Sequence, residues 1–543
     1  MLLPKKGQYN IVCKSLRTFL INLSTLQIYT SLRCQQLKKA QRYIEIMDTT
    51  LRDGEQTSGV SFSASEKLTI AQLLLTEVKV DRIEIASARV SEGEFQAVKK
   101  ITDWAKVHGF LNKVEVLTFV DGETSVNWMI EAGATVMNLL TKGSLNHLTH
   151  QLKKTPEEHF SEIADVIALA NKKSLQCNVY LEDWSNGMRN SKEYVLQYLD
   201  FLQHQPVKRV LLPDTLGVLI PSETFEYVSE LVKRYPQMHF DFHAHNDYDL
   251  SIANVLEAVK AGAHGLHLTV NGMGERAGNA PLASAIAVLN DFMPDIKTSV
   301  AEKSLYTVSK LVEAFSGFRI SANKPVVGEN VFTQTAGIHA DGDKKNNLYY
   351  NDLMPERFGR QRKYALGKTS GKANIDNNLQ QLGIQLSDDD LKKVTQRVIE
   401  LGDRKEMVTQ ADLPYIISDV LDSNSIEQKV QIKNYVLTHS KNLRPSVTLH
   451  ICIEGELFEE HDQGDGQYDA FVNALKKIYK QKNCELPLLV DYTVRIPPGG
   501  KSDALCETII TWLHNNKEFK TRGLDSDQTV AAIKATEKML NII

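Results

Sequence analysis

Two histidines near the middle of the chain, His243 and His245, lie two residues apart in the stretch HFDFHAHND, where an alternating apolar run ends. Successive side chains of a strand point to opposite faces, so residues two apart project from the same face. A single histidine on a strand is usually structural. Neutral imidazole is, however, a common metal ligand, and two on one face indicate a metal site at the end of a strand.

The stretch DTTLRDGEQTSG contains Arg52 and Asp53. Two histidines and one carboxylate, with coordination positions left open, allow a divalent ion to polarise a substrate carbonyl group. Mixed nitrogen and oxygen ligation suits Mn, Zn, Co or Fe, and Mg less well. An arginine beside such an ion suits a ligand with both a carboxylate and a carbonyl group, such as a 2-oxo acid, because its planar fork binds negative charge.

The elements that must position these residues begin at Tyr43, where short β-rich runs start to alternate with longer amphipathic runs. Several helix candidates open with a Ser/Thr cap or with proline in the first turn. The eight strand candidates are YIEIMD, RIEIAS, VEVLTF, TVMNLL, CNVYLE, RVLLPD, HFDFHAH and GLHLTV. Eight strand–helix units in about 250 residues predict an α/β fold, a (β/α)8 TIM barrel, with a doubly wound open sheet as the alternative.

A barrel places catalytic groups at the carboxyl ends of its strands. Polar residues follow that rule at the first, fifth, sixth and seventh strands, namely Arg52, Asp53, Glu182, Asp214, Thr215, His243 and His245. The first, seventh and eighth strands are neighbours in a closed barrel, so Asp53 is expected to join the histidines. The loop NGMGERAGN lacks the dinucleotide spacing. We expect it to bring Glu275, Arg276 and Asn279 over the metal.

Composition excludes several classes of partner. The 543 residues carry a formal net charge of −4, which gives no reason to expect nucleic acid or an anionic membrane. No apolar run approaches the roughly 20 residues that span a bilayer. The six cysteines form no C-x-x-C pair, so we expect neither disulfides nor a cysteine zinc site, and predict a cytoplasmic location.

The two ends of the chain differ from the barrel region. Residues 1–42 contain no Asp or Glu, which is compatible with a targeting segment, a poorly ordered extension or upstream sequence included by a wrong start. After about residue 292 the regular alternation stops. We predict a catalytic domain over 43–315, linker subdomains over 316–429, and an α+β domain over 430–543.

The motifs DTTLRDGEQ, HAHND and GMGERAGN together resemble the DRE-TIM metallolyase superfamily, in the branch of isopropylmalate, homocitrate and citramalate synthases. The resemblance runs from about residue 43 to the end. VYLEDWSNGMRNS, LLPDTLGV, NLLTKGS and TQTAGIHADGDKKNNLY are most similar to the bacterial (R)-citramalate synthases. The resemblance implies an acyltransferase that condenses acetyl-CoA with pyruvate and water to (R)-citramalate and CoA. The alternative is a 2-isopropylmalate synthase, with 2-oxoisovalerate as acceptor.

The resemblance also implies roles for the matching residues. The metal ligands would be Asp53, His243 and His245, with Asn279 as a further contributor. Arg52 and Thr215 would hold the 2-oxo acid, and Glu182 would be an acid/base or would orient one. The linker would complete the site with His339, Asp341, Asn347 and Tyr349. In this family the linker reaches over the barrel of the other subunit, which implies a homodimer. Glu182 and His339 are the candidates for removing the acetyl methyl proton.

Substrate choice depends on the pocket beside the 2-oxo group. The family positions that line it match Leu117, Leu140 and Tyr180. Bulky apolar side chains there leave little room beyond a methyl group and offer no cation for the second carboxylate of 2-oxoglutarate. Discrimination against 2-oxoisovalerate is weaker, since pocket size separates close homologues only modestly.

The C-terminal domain resembles the regulatory domain of the family, which binds the end-product amino acid; for a citramalate synthase this is isoleucine. The resemblance places Tyr468, Asp469, Tyr492 and Ile496 around this effector. Two other classes of function are a lyase that cleaves carbon–carbon bonds and a non-catalytic amino-acid sensor. The regulatory domain argues against the lyase, and the intact set of polar rim residues argues against the sensor.

Overall fold

A computed structural model of the chain describes residues 41–346, 348–403, 408–421, 429–495, 506–515 and 517–542. Two of the predicted site residues, Asn347 and Ile496, and nearly all of the N-terminal extension lie outside these ranges. The chain forms two compact units. Of the described residues, one unit contains those up to Val331 together with Asn351–Gln361, and the other contains those between Phe332 and Tyr350 and those from Arg362 onward.

All eight predicted strands are present, and they close into a parallel barrel. The strands are β1 (Glu45–Asp48), β2 (Arg82–Ser87), β3 (Val114–Phe119), β4 (Val136–Lys142), β5 (Gln176–Glu182), β6 (Val207–Asp214), β7 (Phe240–Ala244) and β8 (Gly265–Leu268). Strand β1 pairs with β2 on one side and with β8 on the other. The TIM-barrel prediction is therefore confirmed, and the open-sheet alternative is wrong.

Helices connect the strands and continue past the last one. Their starts follow the sequence signals: Ser63 and Thr155 each form a capping box with a glutamate three residues later. Besides shorter turns, the helices of this unit are α1 (Ala64–Leu73), α2 (Glu92–His108), α3 (Thr124–Glu131), α4 (Pro156–Lys172), α5 (Trp184–Asn190), α6 (Lys192–Leu202), α7 (Pro221–Arg234), α8 (Ser251–Ala261), α9 (Leu282–Phe292) and α10 (Leu305–Ser316).

The barrel interior is charged near the amino ends of its strands. Arg82 pairs with Glu115, with 3.0 Å between Nη1 and Oε1, and also with Asp241. Arg209 Nη2 lies 2.7 Å from Glu45 Oε2. Desolvation offsets much of the Coulomb attraction of such buried pairs, but removal of one partner would leave an uncompensated charge. We call this end of the barrel the closed end.

The second unit begins with short helical segments. They are α11 (Gly337–Lys344), α12 (Lys372–Gln381), α13 (Asp388–Asp403) and α14 (Leu413–Val420). The last three share an apolar core that includes Ile375, Val394 and Leu413. This agrees with the predicted helical linker region.

The C-terminal domain contains two antiparallel three-stranded sheets and two helices. The elements are β9 (Val430–Thr438), β10 (Ser446–Ile453), β11 (Glu456–Gln463), α15 (Gln467–Gln481), β12 (Leu488–Arg495), β13 (Cys506–His514), β14 (Lys517–Asp525) and α16 (Gln528–Leu540). The predicted α+β class is confirmed. The run SVTLHICIEGELFEEH forms a hairpin, because Glu454 (φ 52°) and Gly455 (φ 87°) adopt the left-handed conformation of a two-residue turn.

Two expectations about the whole chain can be checked against the described ranges. Cys177, Cys452, Cys484 and Cys506 are free thiols, in agreement with the prediction that they form no disulfides. Within the same ranges no helix has both the length and the apolar character needed to cross a membrane.

Candidate active site

The ends of β1 and β7 bring Asp53, His243 and His245 together inside the rim of the barrel. Asp53 Oδ2 lies 3.5 Å from His243 Nε2 and 3.8 Å from His245 Nε2. One potential ligand atom from each residue lies within 4.8 Å of the other two, and all three side chains are buried. The structure thus places in one cluster the three residues that the sequence singled out.

The charges of this cluster suit metal ligation. Burial lowers the pKa of His243 well below its ordinary value and also lowers the pKa of His245, against the opposing effect of Asp53. Burial by itself would raise the pKa of Asp53, but the Arg52 guanidinium and the two imidazoles bring it far below the usual range. At neutral pH the cluster therefore contains one carboxylate and two neutral imidazoles, the protonation states that a divalent cation requires.

Asn279, from the loop after β8, joins the cluster. Its Nδ2 donates to Asp53 Oδ1 (3.0 Å) and to the Met273 carbonyl oxygen (3.0 Å). Gly274 makes this approach possible: at φ 155°, a Cβ would lie 2.3 Å from Asn279 Nδ2. The glycine-rich loop is therefore built so that an amide can reach the Asp53 carboxylate.

The two charged residues of that loop, Glu275 and Arg276, make their direct side-chain contacts outside the cluster. Arg276 donates to both carboxylate oxygens of Asp247, at 2.8 and 3.0 Å, and to the Thr215 carbonyl oxygen at 2.7 Å. Glu275 is largely exposed beside it. Arg276 thus pairs with the partly buried carboxylate of Asp247, and its charge acts on His245 from there.

Arg52 is held by three anchors. Its Nε donates to Glu84 Oε2 (2.7 Å), its Nη1 to Asp53 Oδ2 (2.9 Å) and its Nη2 to the Tyr180 hydroxyl oxygen (3.2 Å). Glu84 is fully buried and also accepts from the Thr49 hydroxyl and from Asn138 Nδ2, both at 2.8 Å. A guanidinium has five N–H donors. One N–H therefore remains on each terminal nitrogen of Arg52, a pair that matches a carboxylate or a carboxylate–carbonyl ligand.

The residues predicted to line the pocket for the 2-oxo acid pack against one another. Leu117, Tyr180 and Leu211 are buried in contact with one another, and the half-buried Leu140 packs against them. Tyr180 is less apolar than the sequence analysis assumed. Its hydroxyl group lies within hydrogen-bond distance of Arg52, Glu84 and His267. Its ring is a wall of the pocket, whereas its hydroxyl group belongs to the polar network around Arg52.

Two further rim residues have clear partners. Glu182, at the end of β5, forms an ion pair with Lys142, at the end of β4. The Thr215 hydroxyl oxygen accepts from the Asp183 backbone N–H at 2.9 Å, so the Thr215 hydroxyl proton can be donated to a ligand. Lys142 orients the carboxylate that the sequence analysis assigned to acid/base chemistry.

The predicted linker residues belong to the other compact unit. The rings of His339 and Tyr349 lie 4.1 Å apart, and His339 Nδ1 is 3.2 Å from Gln334 Oε1. Asp341 is half-exposed and pairs with Lys345. The structure thus places His339 and Tyr349 side by side, with Asp341 on the same helix, α11.

The described members of the predicted effector set also lie close together. The rings of Tyr468 and Tyr492 are 5.4 Å apart, and the Tyr468 hydroxyl group lies 2.7 Å from Thr536 Oγ1. Asp469, in the first turn of α15, accepts from the Asp465 backbone N–H at 2.9 Å. Tyr468 of α15 therefore meets Tyr492 of β12, whereas Asp469, the next residue of α15, is exposed.

Three residues of the site were not predicted from the sequence: Glu84, Lys142 and Leu211. Glu84 and Leu211 lie inside β2 and β6, where an inward position cannot be distinguished from an outward one in a strand that is buried on both faces. Lys142 carried a usable signal, since it is a charged residue at the carboxyl end of a predicted strand. The same rule had identified Glu182 on the neighbouring strand.

Three buried polar atoms around the cluster have no hydrogen-bond partner in the part of the chain that the structure describes: His243 Nδ1, His245 Nδ1 and Asn279 Oδ1. A buried polar atom without a partner destabilises a fold by about 1–3 kcal/mol. Buried polar atoms without a partner are found where a bound ligand or ion interacts with the residues that carry them. Two neutral imidazoles, a carboxylate and an amide oxygen fit a divalent cation with coordination positions to spare.

The fold and this site define a class: a (β/α)8 barrel with a two-histidine, one-carboxylate cluster and an anchored arginine at its carboxyl rim. Comparisons with known proteins agree. Residues 43–312 match the HMGL-like family, 326–406 match the homocitrate synthase post-HMGL domain-like family, and 407–543 match the LeuA allosteric (dimerisation) domain.

Curated relatives are similar over most of the chain. A protein of Methanopyrus kandleri, provisionally named an (R)-citramalate synthase, is 35% identical over 85% of this chain and 88% of its own length. The (R)-citramalate synthase of Methanocaldococcus jannaschii is 32% identical over 92% of this chain and 99% of its own. The 2-isopropylmalate synthase of the same organism is 31% identical over 92% and 94%, respectively.

The chain therefore belongs to the HMGL-like family, in the branch of the citramalate and isopropylmalate synthases. It is an acetyl-CoA-condensing acyltransferase of that branch. The family resemblance that the sequence motifs indicated is confirmed.

Proposed function

We propose that this enzyme condenses acetyl-CoA with pyruvate and water to give (R)-citramalate and CoA. The observation that carries the proposal is the apolar cluster beside Arg52. Leu117, Leu140 and Leu211 present no charge, so a second substrate carboxylate buried among them would be unpaired, at a cost of several kcal/mol. A methyl group needs no such partner. The pocket thus favours a short apolar 2-oxo acid over 2-oxoglutarate.

The 2-oxo acid would be held by groups that are already in place. The two remaining N–H donors of Arg52 and the Thr215 hydroxyl proton would bind its carboxylate. Asp53, His243 and His245, with Asn279 as a further contributor, would hold a divalent metal (Mn, Zn, Co or Mg), which supplies polarisation of the keto carbonyl group when bound. Because Glu84, Asp53 and Tyr180 fix the guanidinium, little side-chain entropy remains to be lost on binding.

The proton step needs a base near the acetyl methyl group. Glu182 is one candidate, because its carboxylate lies at the rim with Lys142 directing it. It would take a methyl proton, and the resulting carbon nucleophile would attack the 2-oxo carbon, whose oxygen takes up a proton and becomes the hydroxyl group of the product. Water then hydrolyses the thioester and releases CoA. His339 is the other candidate. We propose that it acts together with Asp341, Asn347 and Tyr349.

We further propose that three regions of the chain have separate functions. Residues 43–315 would carry catalysis, and 316–429 would complete the site of the partner subunit in a homodimer. Residues 430–543 would bind isoleucine as a feedback inhibitor, with Tyr468, Asp469, Tyr492 and Ile496 as contacts. The match to an allosteric (dimerisation) domain and the meeting of Tyr468 with Tyr492 support this assignment.

The decisive experiment is a panel of 2-oxo acids. CoA release is followed with a thiol reagent for pyruvate, 2-oxobutyrate, 2-oxoisovalerate and 2-oxoglutarate, with added Mn²⁺, Zn²⁺, Co²⁺ or Mg²⁺ and with or without isoleucine. We expect the highest kcat/KM with pyruvate and inhibition by isoleucine. A clear preference for 2-oxoisovalerate would instead establish the second candidate, a 2-isopropylmalate synthase, which the similarity to relatives of that name keeps open.

Two controls separate the remaining classes of function. Cleavage of hydroxymethylglutaryl-CoA would indicate a lyase, and a protein that is inert with every acceptor and metal would indicate a sensor. Deletion of residues 430–543 tests the effector site: we expect turnover to persist and inhibition by isoleucine to disappear. Inhibition that survives the deletion would place the effector elsewhere.

A further inference from the structure

The hydroxyl group of Tyr180 occupies the centre of a buried chain of hydrogen bonds. Arg52 Nη2 approaches it at 3.2 Å, His267 Nδ1 lies 2.9 Å away, and Glu84 Oε2 lies 3.3 Å away. His267, on β8, is fully buried, and its other ring nitrogen, Nε2, lies 3.2 Å from Asp241 Oδ2. The chain of contacts therefore runs from the substrate-facing arginine through Tyr180 and His267 to a carboxylate.

Asp241 fixes the far end of this chain. It pairs with Arg82, and its Oδ1 lies 2.9 Å from His239 Nε2. Asp241 is itself fully buried at the closed end of the barrel. The orientation of the His267 ring is thus fixed by a residue at the closed end of the barrel, away from the substrate.

The distances favour one arrangement of donors and acceptors in this chain. Burial raises the pKa of Tyr180 well above its ordinary value, so the phenol keeps its single proton. Arg52 can only donate, and Glu84 already accepts from Arg52, Thr49 and Asn138. Of the two acceptors within reach of the Tyr180 hydroxyl group, His267 Nδ1 at 2.9 Å is nearer than Glu84 Oε2 at 3.3 Å, so we assign the Tyr180 proton to His267 Nδ1. The proton of His267 then sits on Nε2 and is donated to Asp241.

We propose that His267 is a positioning residue for the 2-oxo acid: it holds the Tyr180 hydroxyl group so that this oxygen accepts from Arg52 and the ring keeps the acceptor pocket narrow. This inference rests on the proposed function of Arg52 and of the pocket. His267 acts through Tyr180. Without it, the only acceptor left for the hydroxyl proton would be Glu84, and the Tyr180 oxygen would no longer be held in place as an anchor of Arg52.

Two substitutions of His267 separate its two contacts. The amide nitrogen of glutamine can take the place of Nε2, so His267→Gln keeps the donor to Asp241 and loses the acceptor for Tyr180. The amide oxygen of asparagine can take the place of Nδ1, so His267→Asn does the reverse. Tyr180→Phe removes the hydroxyl group alone. Together with the double variant Tyr180→Phe/His267→Gln, these proteins form a complete test.

We expect His267→Gln and Tyr180→Phe each to raise the KM of the 2-oxo acid about three- to tenfold, the loss of one hydrogen bond, with the KM of acetyl-CoA within about twofold. The double variant should be no worse than Tyr180→Phe. His267→Asn should keep the KM of the 2-oxo acid and lower the melting temperature. The same comparison of single and double variants can be made without turnover, by measuring the binding of the 2-oxo acid to the metal-loaded protein by calorimetry in the absence of acetyl-CoA.

The inference is overturned if the two effects multiply in the double variant, if His267→Gln changes both KM values alike, or if Tyr180→Phe leaves the KM of the 2-oxo acid unchanged. The last result counts even if a His267 variant does not fold. If the unmodified protein neither binds nor turns over any 2-oxo acid, the proposed function fails instead. The coupling between Tyr180 and His267 in urea unfolding would then test their contact separately.

Discussion

Replacement of Arg52 by lysine is the most direct test of how this site would recognise a 2-oxo acid. The substitution keeps the positive charge but removes the planar pair of N–H donors. Three of the five N–H groups are spent on Glu84, Asp53 and Tyr180, which leaves two for the substrate. Lysine has one nitrogen with three protons. It cannot serve three separate anchors and also present a parallel pair of donors.

The magnitude follows from this count. Two charge-assisted hydrogen bonds to the substrate are worth about 1.5–3 kcal/mol each, and lysine can restore one of them at best. The net loss of about 1.5–3 kcal/mol corresponds to a fall in kcat/KM of roughly 10- to 150-fold. Glu84 would also lose its nearest cation, so the variant should unfold at a lower temperature.

The assay measures CoA release at saturating acetyl-CoA while the 2-oxo acid is varied, together with metal content by mass spectrometry. Arg209→Lys is the matched control: it is also a buried, ion-paired arginine of the barrel, but it lies at the closed end with Glu45. We expect the control to keep kcat/KM within about twofold. A kcat/KM for Arg52→Lys within threefold of the original enzyme would refute the reasoning. So would a loss of metal equal to the loss of activity, because Arg52 would then act on the metal site rather than on the substrate.

Three further predictions follow from the same structure. His243→Ala should abolish metal binding and activity together, as measured by metal content after dialysis. Leu117→Ala should shift the kcat/KM ratio toward 2-oxoisovalerate by about tenfold or more, since a pocket enlarged by several carbon atoms admits an isopropyl group. His159 is buried, and burial lowers its pKa from 6.5 to about 4. As the pH falls from 6.5 to 4 the unfolded chain takes up this proton first, so the folded state loses about 3 kcal/mol of stability over that window. His159→Gln should remove this loss, as urea unfolding at successive pH values would show.

Each prediction has its own control and contrary result. The exposed His108→Ala should retain metal, and full metal content in His243→Ala would reject that residue as a ligand. Leu139→Ala makes a similar cavity in the neighbouring strand β4, so an equal change in substrate preference would make the effect of Leu117 non-specific. For His159, an unchanged pH dependence in the glutamine variant would mean that other groups titrate over this window.

Much of the fold was available from the sequence for a simple reason. Alternation of β-rich and amphipathic runs is a local property, and eight such units leave few architectures. Polar residues at the ends of predicted strands then pointed to the rim, which is how Arg52, Glu182 and His243 were found. The hairpin turn at Glu454 and Gly455 escaped prediction, because glutamate before glycine is a weak signal for a left-handed turn residue.

What the sequence determined by itself is the set of elements and the types of residue at their carboxyl ends, since both depend on short-range spacing. Only the tertiary structure decided which inward-facing side chains meet. Closing the barrel staggers its strands against one another. That stagger brings Tyr180 and His267 to the same level as Arg52 and makes Glu84 the anchor of the arginine. Arg276 meets Asp247 where the loops after β8 and β7 come together. These partners are 29 to 128 residues apart in the sequence, so no local pattern could have named them.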